Sequence, residues 1–142
     1  MGSVPLHYVD LRTFCYATED ETRVRSALEA LIPEETPIDR AESTGHHGDR
    51  IVVFSTRIET ADDIRYVLDR LTEGGVLATI ASELDDRVTD NCELFVQLDK
   101  QAAYQGRVER GDGIMLRAKI EAYPANPDIA VDNVTTLIEE RI

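Results

Sequence analysis

The chain has no tryptophan, only two cysteines and two lysines, and few aromatic residues. Two cysteines, Cys15 and Cys92, cannot build a disulfide framework, and without a Cys-x-x-Cys pair they form no zinc ribbon. They read as small buried apolar side chains in a reducing compartment. No apolar run approaches the ~20 residues of a membrane span, and the N-terminus lacks the basic-then-apolar order of a secretory signal. The expected setting is therefore the cytoplasm, with no membrane partner. P-loop, GxGxxG, GxSxG and His-Glu zinc motifs are missing as well, so neither enzymatic activity nor a cofactor is expected.

The shortage of lysine accompanies an acidic balance. Thirteen arginines and two lysines face 28 acidic residues, for a net charge of −13. A dispersed acidic surface repels polyanions and counts against general nucleic-acid binding. It also suits high intracellular salt, where the Debye length near 1 M is about 3 Å, and a salt-adapted source is the favoured reading. Local pattern then matters more than net charge. The electrical exception runs from Cys92 to Tyr123, where Glu93, Asp99, Glu109, Asp112 and Glu121 are balanced by Lys100, Arg107, Arg110, Arg117 and Lys119. Both lysines of the protein lie here.

At 142 residues the chain fits one domain, 1–142, with a core that needs no staples. Period-2 alternation marks strands over 7–16, 94–98 and 114–122, with Ile51 to Ile58 a further strong strand and 38–43 a weak one. In the first strand His7, Val9, Leu11, Thr13 and Cys15 share a face that suits a core. Thr18 and Glu21 form a capping box for a helix whose stripe is Val24, Ala27, Leu28, Leu31 and Ile32, stopped by Pro33. Thr60 caps a second helix that ends at Gly74-Gly75, and Val76 to Leu84 gives a shorter one. Asp99 caps a turn over 100–105, Gly111-Asp112-Gly113 turns a hairpin between two further strands, and Pro127 opens the last helix. Antiparallel hairpins with helices between them predict an α+β fold: a single, mostly antiparallel sheet with helices packed on one face.

The other sheet face carries the candidate site. Arg12, Phe95, Arg117 and Lys119, with Tyr8 and Tyr123, combine aromatic faces that stack bases with cations that meet phosphates. The competing reading is a face covered by a helix or a second subunit, though a helix would want more Leu and Ile there. Lys100 and Tyr104 lie four apart on one turn, with Gln101 between them, a phosphate-and-base pair beside Arg107. In the loop Gly45-His46-His47-Gly48-Asp49 the histidines and aspartate suit an RNA contact, a metal or acid–base chemistry. Adjacent histidines point opposite ways on an extended chain, and a solvated turn needs no function.

These residues also carry a resemblance. HYVDLRTFCYATED at 7–20, GHHGDRI at 45–51, FVQLDKQAAY at 95–104 and KIEAYP at 119–124 resemble an archaeal family of RNA-binding proteins or predicted exosome subunits. That resemblance implies a fold like the large-subunit ribosomal protein that holds 5S RNA. It also implies RNA, single-stranded or structured, as partner, with contacts from His46, His47, Lys100, Gln101 and Tyr104. The expected function is a non-catalytic RNA-binding accessory protein associated with the archaeal exosome. One rival is a subunit docking on exosome or ribosome proteins through the same face. Another is a metal-dependent hydrolase using His46, His47 and Asp49.

Overall fold

Alternation of apolar side chains builds the sheet. Strands β1 (Leu6–Cys15), β2 (Asp39–Thr44), β3 (Arg50–Ile58), β4 (Glu93–Asp99) and β5 (Gly113–Ile120) pair antiparallel throughout, in the order β2-β3-β1-β5-β4. The computed structural model describes residues 4–45 and 47–141. One phase of each of β1, β3, β4 and β5 is buried: Val9 and Leu11 in β1, Val52 and Phe54 in β3, Val96 and Leu98 in β4, Leu116 and Ile120 in β5. Helices α1 (Glu21–Glu29), α2 (Ala61–Glu73) and α6 (Pro127–Glu139) lay their apolar stripes into the same core. The two buried threonines are satisfied, since the Thr13 hydroxyl donates to the Gly113 carbonyl and the Thr56 hydroxyl to the Pro37 carbonyl, each at 2.7 Å. The result is the expected α+β architecture. Among the described residues no helix covers the opposite face.

Local punctuation mostly follows the sequence. Thr60, Asp99 and Asn126 accept from the first-turn amides of α2, α5 (Lys100–Tyr104) and α6, and Pro127 occupies the first turn of α6. Four expectations are corrected. First, α1 is capped by Asp20 rather than Thr18. The chain turns at 16–19, where the Glu19 amide donates to the Tyr16 carbonyl, so the free amides of Thr22 and Arg23 face Asp20. Second, a bulge between Leu6 and Tyr8 shifts the register, so Leu6 is buried where His7 was expected, and His7 is exposed.

Third, Val76 to Leu84 is not one helix. It divides into α3 (Val76–Ile80), a 3-10 turn (Ala81–Glu83) and α4 (Leu84–Arg87), which together bury Val76, Leu77, Ile80 and Leu84. Fourth, no strand forms between α5 and β5, so β4 pairs directly with β5. Gly106 turns the chain with a φ of +83°, and the segment pairs with the sheet through an isolated bridge from Arg110 to Leu98.

Candidate nucleic-acid interface

Antiparallel register fixes which side chains meet on the open face, because directly opposed residues lie about 4.5–5.5 Å apart. Three rows cross it. Tyr8, Lys119 and Glu93 form the first, and Arg57, Asp10, Arg117 and Phe95 the second. The third spans all five strands as Asp39, Ser55, Arg12, Met115 and Gln97. Arg12, Phe95, Arg117 and Lys119 are therefore brought onto one surface, as the sequence predicted, and Tyr8 joins them. Tyr123 does not. It lies beyond the end of β5 and is 79% exposed.

The cations of this face are not equally free. Asp10 accepts from Arg57 through both carboxylate oxygens, at 2.7 and 3.0 Å, and from Arg117 at 2.6 Å. Arg117 also pairs with Glu93 at 3.4 Å, and Lys119 donates to the Asn91 carbonyl. Burial pushes the Asp10 carboxyl up, but the hydrogen bonds and charge of the two arginines outweigh it and hold the group below its ordinary value. The Arg57 guanidinium lies over the Tyr8 ring at 3.9 Å. Arg12 forms no ion pair among the described residues and sits over Phe14 at 5.5 Å.

Three hollows join into one track. A groove of about 370 Å³ is lined by Asp10, Arg12, Asp39, Ser55, Arg57, Phe95, Met115 and Arg117. It shares Arg12 and Met115 with a second hollow that runs past Phe14 and Tyr16 to Lys100. That hollow shares Glu19 and Lys100 with a third, formed by Thr18, Asp20, Arg23, Gln101 and Tyr104. Aromatic rings and cations alternate along the way. Phe14 and Tyr16 are near-parallel with ring centroids 6.5 Å apart, Lys100 lies 5.5 Å from the Tyr16 ring, and Arg23 lies 5.0 Å from that of Tyr104.

Lys100, Gln101 and Tyr104 thus reach the same track as the sheet face, but Lys100 is held. Its ammonium pairs with Glu19 at 2.8 Å and donates to the Phe14 carbonyl at 2.9 Å. Burial raises the Glu19 carboxyl, but the hydrogen bonds it accepts from the Lys100 ammonium and from the Tyr16 amide bring it below its usual range. Arg107 pairs with Glu109 at 3.2 Å and does not line the track. His47 and Asp49 lie in the exposed β2–β3 loop, and His46 lies outside the described residues. Among the described residues no three His, Cys, Asp or Glu side chains cluster as metal ligands would.

Sequence reasoning missed Asp39, Ser55, Arg57 and Arg23 as members of this surface. For Ser55 and Arg57 the signal was present, since burial of Val52, Phe54 and Thr56 forces the alternate residues of β3 outward. Asp39 and Arg23 needed the register and the packing of α1. Along the three hollows Arg12, Arg57, Arg117, Lys100 and Arg23 offset Asp10, Asp39, Glu19, Asp20 and Asp112, so the track is balanced in charge, whereas α2 and α6 expose Asp62, Asp69, Glu73, Asp128, Asp132 and Glu139.

A family model described as RNA binding matches residues 8–120. An RNA-binding protein of Pyrococcus abyssi is 30% identical, with 97% of each chain covered. An uncharacterized protein of Methanocaldococcus jannaschii is 31% identical, covering 78% of this chain and 80% of its own length. The solved structure of a DUF54 protein from Methanothermobacter thermautotrophicus superposes with a TM-score of 0.81 at 35% identity, over 94% of this chain and 98% of that one. A protein from Archaeoglobus fulgidus gives 0.82 at 26% identity, over 93% and 99%.

Proposed function

The chain belongs to the RNA-binding family whose model it matches over residues 8–120, and from that premise we propose that it binds single-stranded RNA along the open-face track. The observation that carries this reading is the alternation of rings and cations from Phe95 through Phe14 and Tyr16 to Tyr104. Bases stack on such rings whatever their sequence, while arginines and lysine follow the phosphates. The cations of the track offset its carboxylates, which gives a protein of net charge −13 a locally balanced surface that RNA can approach. In concentrated salt, stacking carries more of the affinity, because phosphate contacts weaken as salt rises.

The same reading makes the protein a non-catalytic accessory factor in the cytoplasm of a salt-adapted archaeon. An association with the exosome is supported by the resemblance of segments 7–20, 45–51, 95–104 and 119–124.

Tyr104→Ala tests the track. Loss of one stacking platform is expected to weaken binding of a labelled 12-nucleotide RNA by about 1–3 kcal/mol, read by fluorescence anisotropy. Tyr66→Ala, on α2 in the helix layer and equally 41% exposed, is expected to leave affinity unchanged. Equal affinities for wild type and both variants would remove this path.

A further inference from the structure

We infer that the groove above Ser55 reads a guanine base, an inference that rests on the RNA-binding reading of this face. Five charged side chains line the groove. Three of them, Asp10, Arg57 and Arg117, satisfy one another. The other two are Arg12 and Asp39, both exposed and neither in an ion pair among the described residues. They flank Ser55 in the five-strand row, Asp39 opposite it on β2 and Arg12 opposite it on β1. Two strand spacings of about 4.8 Å separate their backbones by roughly 10 Å, and Phe95 and Met115 lie alongside.

A carboxylate accepts hydrogen bonds and a guanidinium only donates them, so the pair selects a ring with two donors on one edge and two acceptors on the next. Guanine has this pattern. Its N1–H and N2–H face a carboxylate, and its O6 and N7 accept both arms of an arginine. Adenine places an amino donor beside N7 and would meet the second guanidinium arm with a like group. Cytosine offers the carboxylate a single amino group, and uracil a single N–H. Asp39 therefore reads the Watson–Crick edge and Arg12 the Hoogsteen edge, while the Ser55 hydroxyl between them can donate or accept.

The test uses the full chain and labelled oligouridylates that carry one central guanine, inosine, adenine or cytosine, compared by fluorescence anisotropy. The guanine oligomer is expected to bind about tenfold more tightly than the adenine one. Inosine, which lacks the N2 amino group, should fall between them. Asp39→Asn lies on an exposed edge strand and should abolish the guanine-to-inosine ratio. Arg12→Lys should lower the guanine-to-adenine ratio, because an ammonium cannot span O6 and N7, and Tyr66→Ala should keep both ratios. Measurable binding with equal affinity for all four oligomers would overturn the guanine inference and leave the RNA-binding face standing. Absence of binding to every oligomer would overturn both.

Discussion

Asp10→Asn is expected to bind single-stranded RNA about tenfold more tightly than the wild type at low salt, a gain of about 1.4 kcal/mol, while being the less stable protein. The two effects share one cause. The Asp10 carboxylate occupies the Arg57 and Arg117 forks where a phosphate would sit, at 2.6–3.0 Å. Removing its charge frees these donors and makes the groove more positive, so the salt dependence of binding should also steepen. Stability falls because two guanidiniums face each other across β1 without the shared counter-charge. The pH dependence follows from the lowered carboxyl. Its contribution to folding is complete above its unfolded value and is lost as pH falls through the folded one. The stability gap between wild type and Asp10→Asn should therefore be widest near neutrality and close below about pH 4. Urea denaturation across pH, beside anisotropy titrations at two salt concentrations, checks both halves. Weaker binding by Asp10→Asn would mean that the carboxylate positions the arginines for RNA rather than competing with it.

Gly74→Ala is expected to give the largest loss of stability among surface substitutions. Gly74 ends α2 with a φ of −83°, a conformation open to any residue, so backbone freedom is not what requires glycine here. Space is. A Cβ at this position would lie 2.0 Å from the Val108 carbonyl oxygen and 2.9 Å from its carbon, and both are backbone atoms that cannot rotate away. The segment pressed against Gly74 is the one that replaces a strand between α5 and β5. Arg70 ties it down by donating to the Gly106 carbonyl at 3.2 Å and to the Ala30 carbonyl at 3.0 Å. Forced overpacking costs about 1–3 kcal/mol and more where backbone must move, and at roughly 3 °C per kcal/mol for a chain of this size Tm should fall by several degrees. Gly75→Ala differs in kind: φ is +74° with nothing nearby, so its cost is conformational and smaller, about 1 kcal/mol. A Gly74→Ala protein as stable as wild type would mean that α2 and the 105–112 segment are further apart than this packing has them.

Where a signal is local, the sequence carried it. The two-residue period of β1, β4 and β5, the Thr60 and Asp99 caps and Pro127 at the start of α6 depend on a few neighbouring residues, and all were legible. Gly74 was recognised as a helix stop, yet the reason for glycine there is the distant Val108 carbonyl. Thr18 and Asp20 are both able caps, and the turn at Tyr16–Glu19 decided between them. The segment after Gln105 read as a strand because Gly111-Asp112-Gly113 looked like the turn of a hairpin; Gly106 turns the chain there, and the segment packs against Gly74 instead.

The site divides in the same way. Phase alone put Arg12, Phe95, Arg117 and Lys119 on one face. That Asp10 neutralises Arg117, that Lys100 is fastened to Glu19, and that Asp39 lines up with Arg12 through Ser55 all depend on register between strands far apart in the chain.

The most direct test of the central claim is ultraviolet crosslinking of the full chain to single-stranded RNA at native salt, with the modified peptides mapped by mass spectrometry. Crosslinks at Phe14, Tyr16, Phe95 and Tyr104, with none at Tyr66, are the predicted result. Crosslinks confined to α2 and α6, or RNA recovered without any crosslink to the open face, would contradict it.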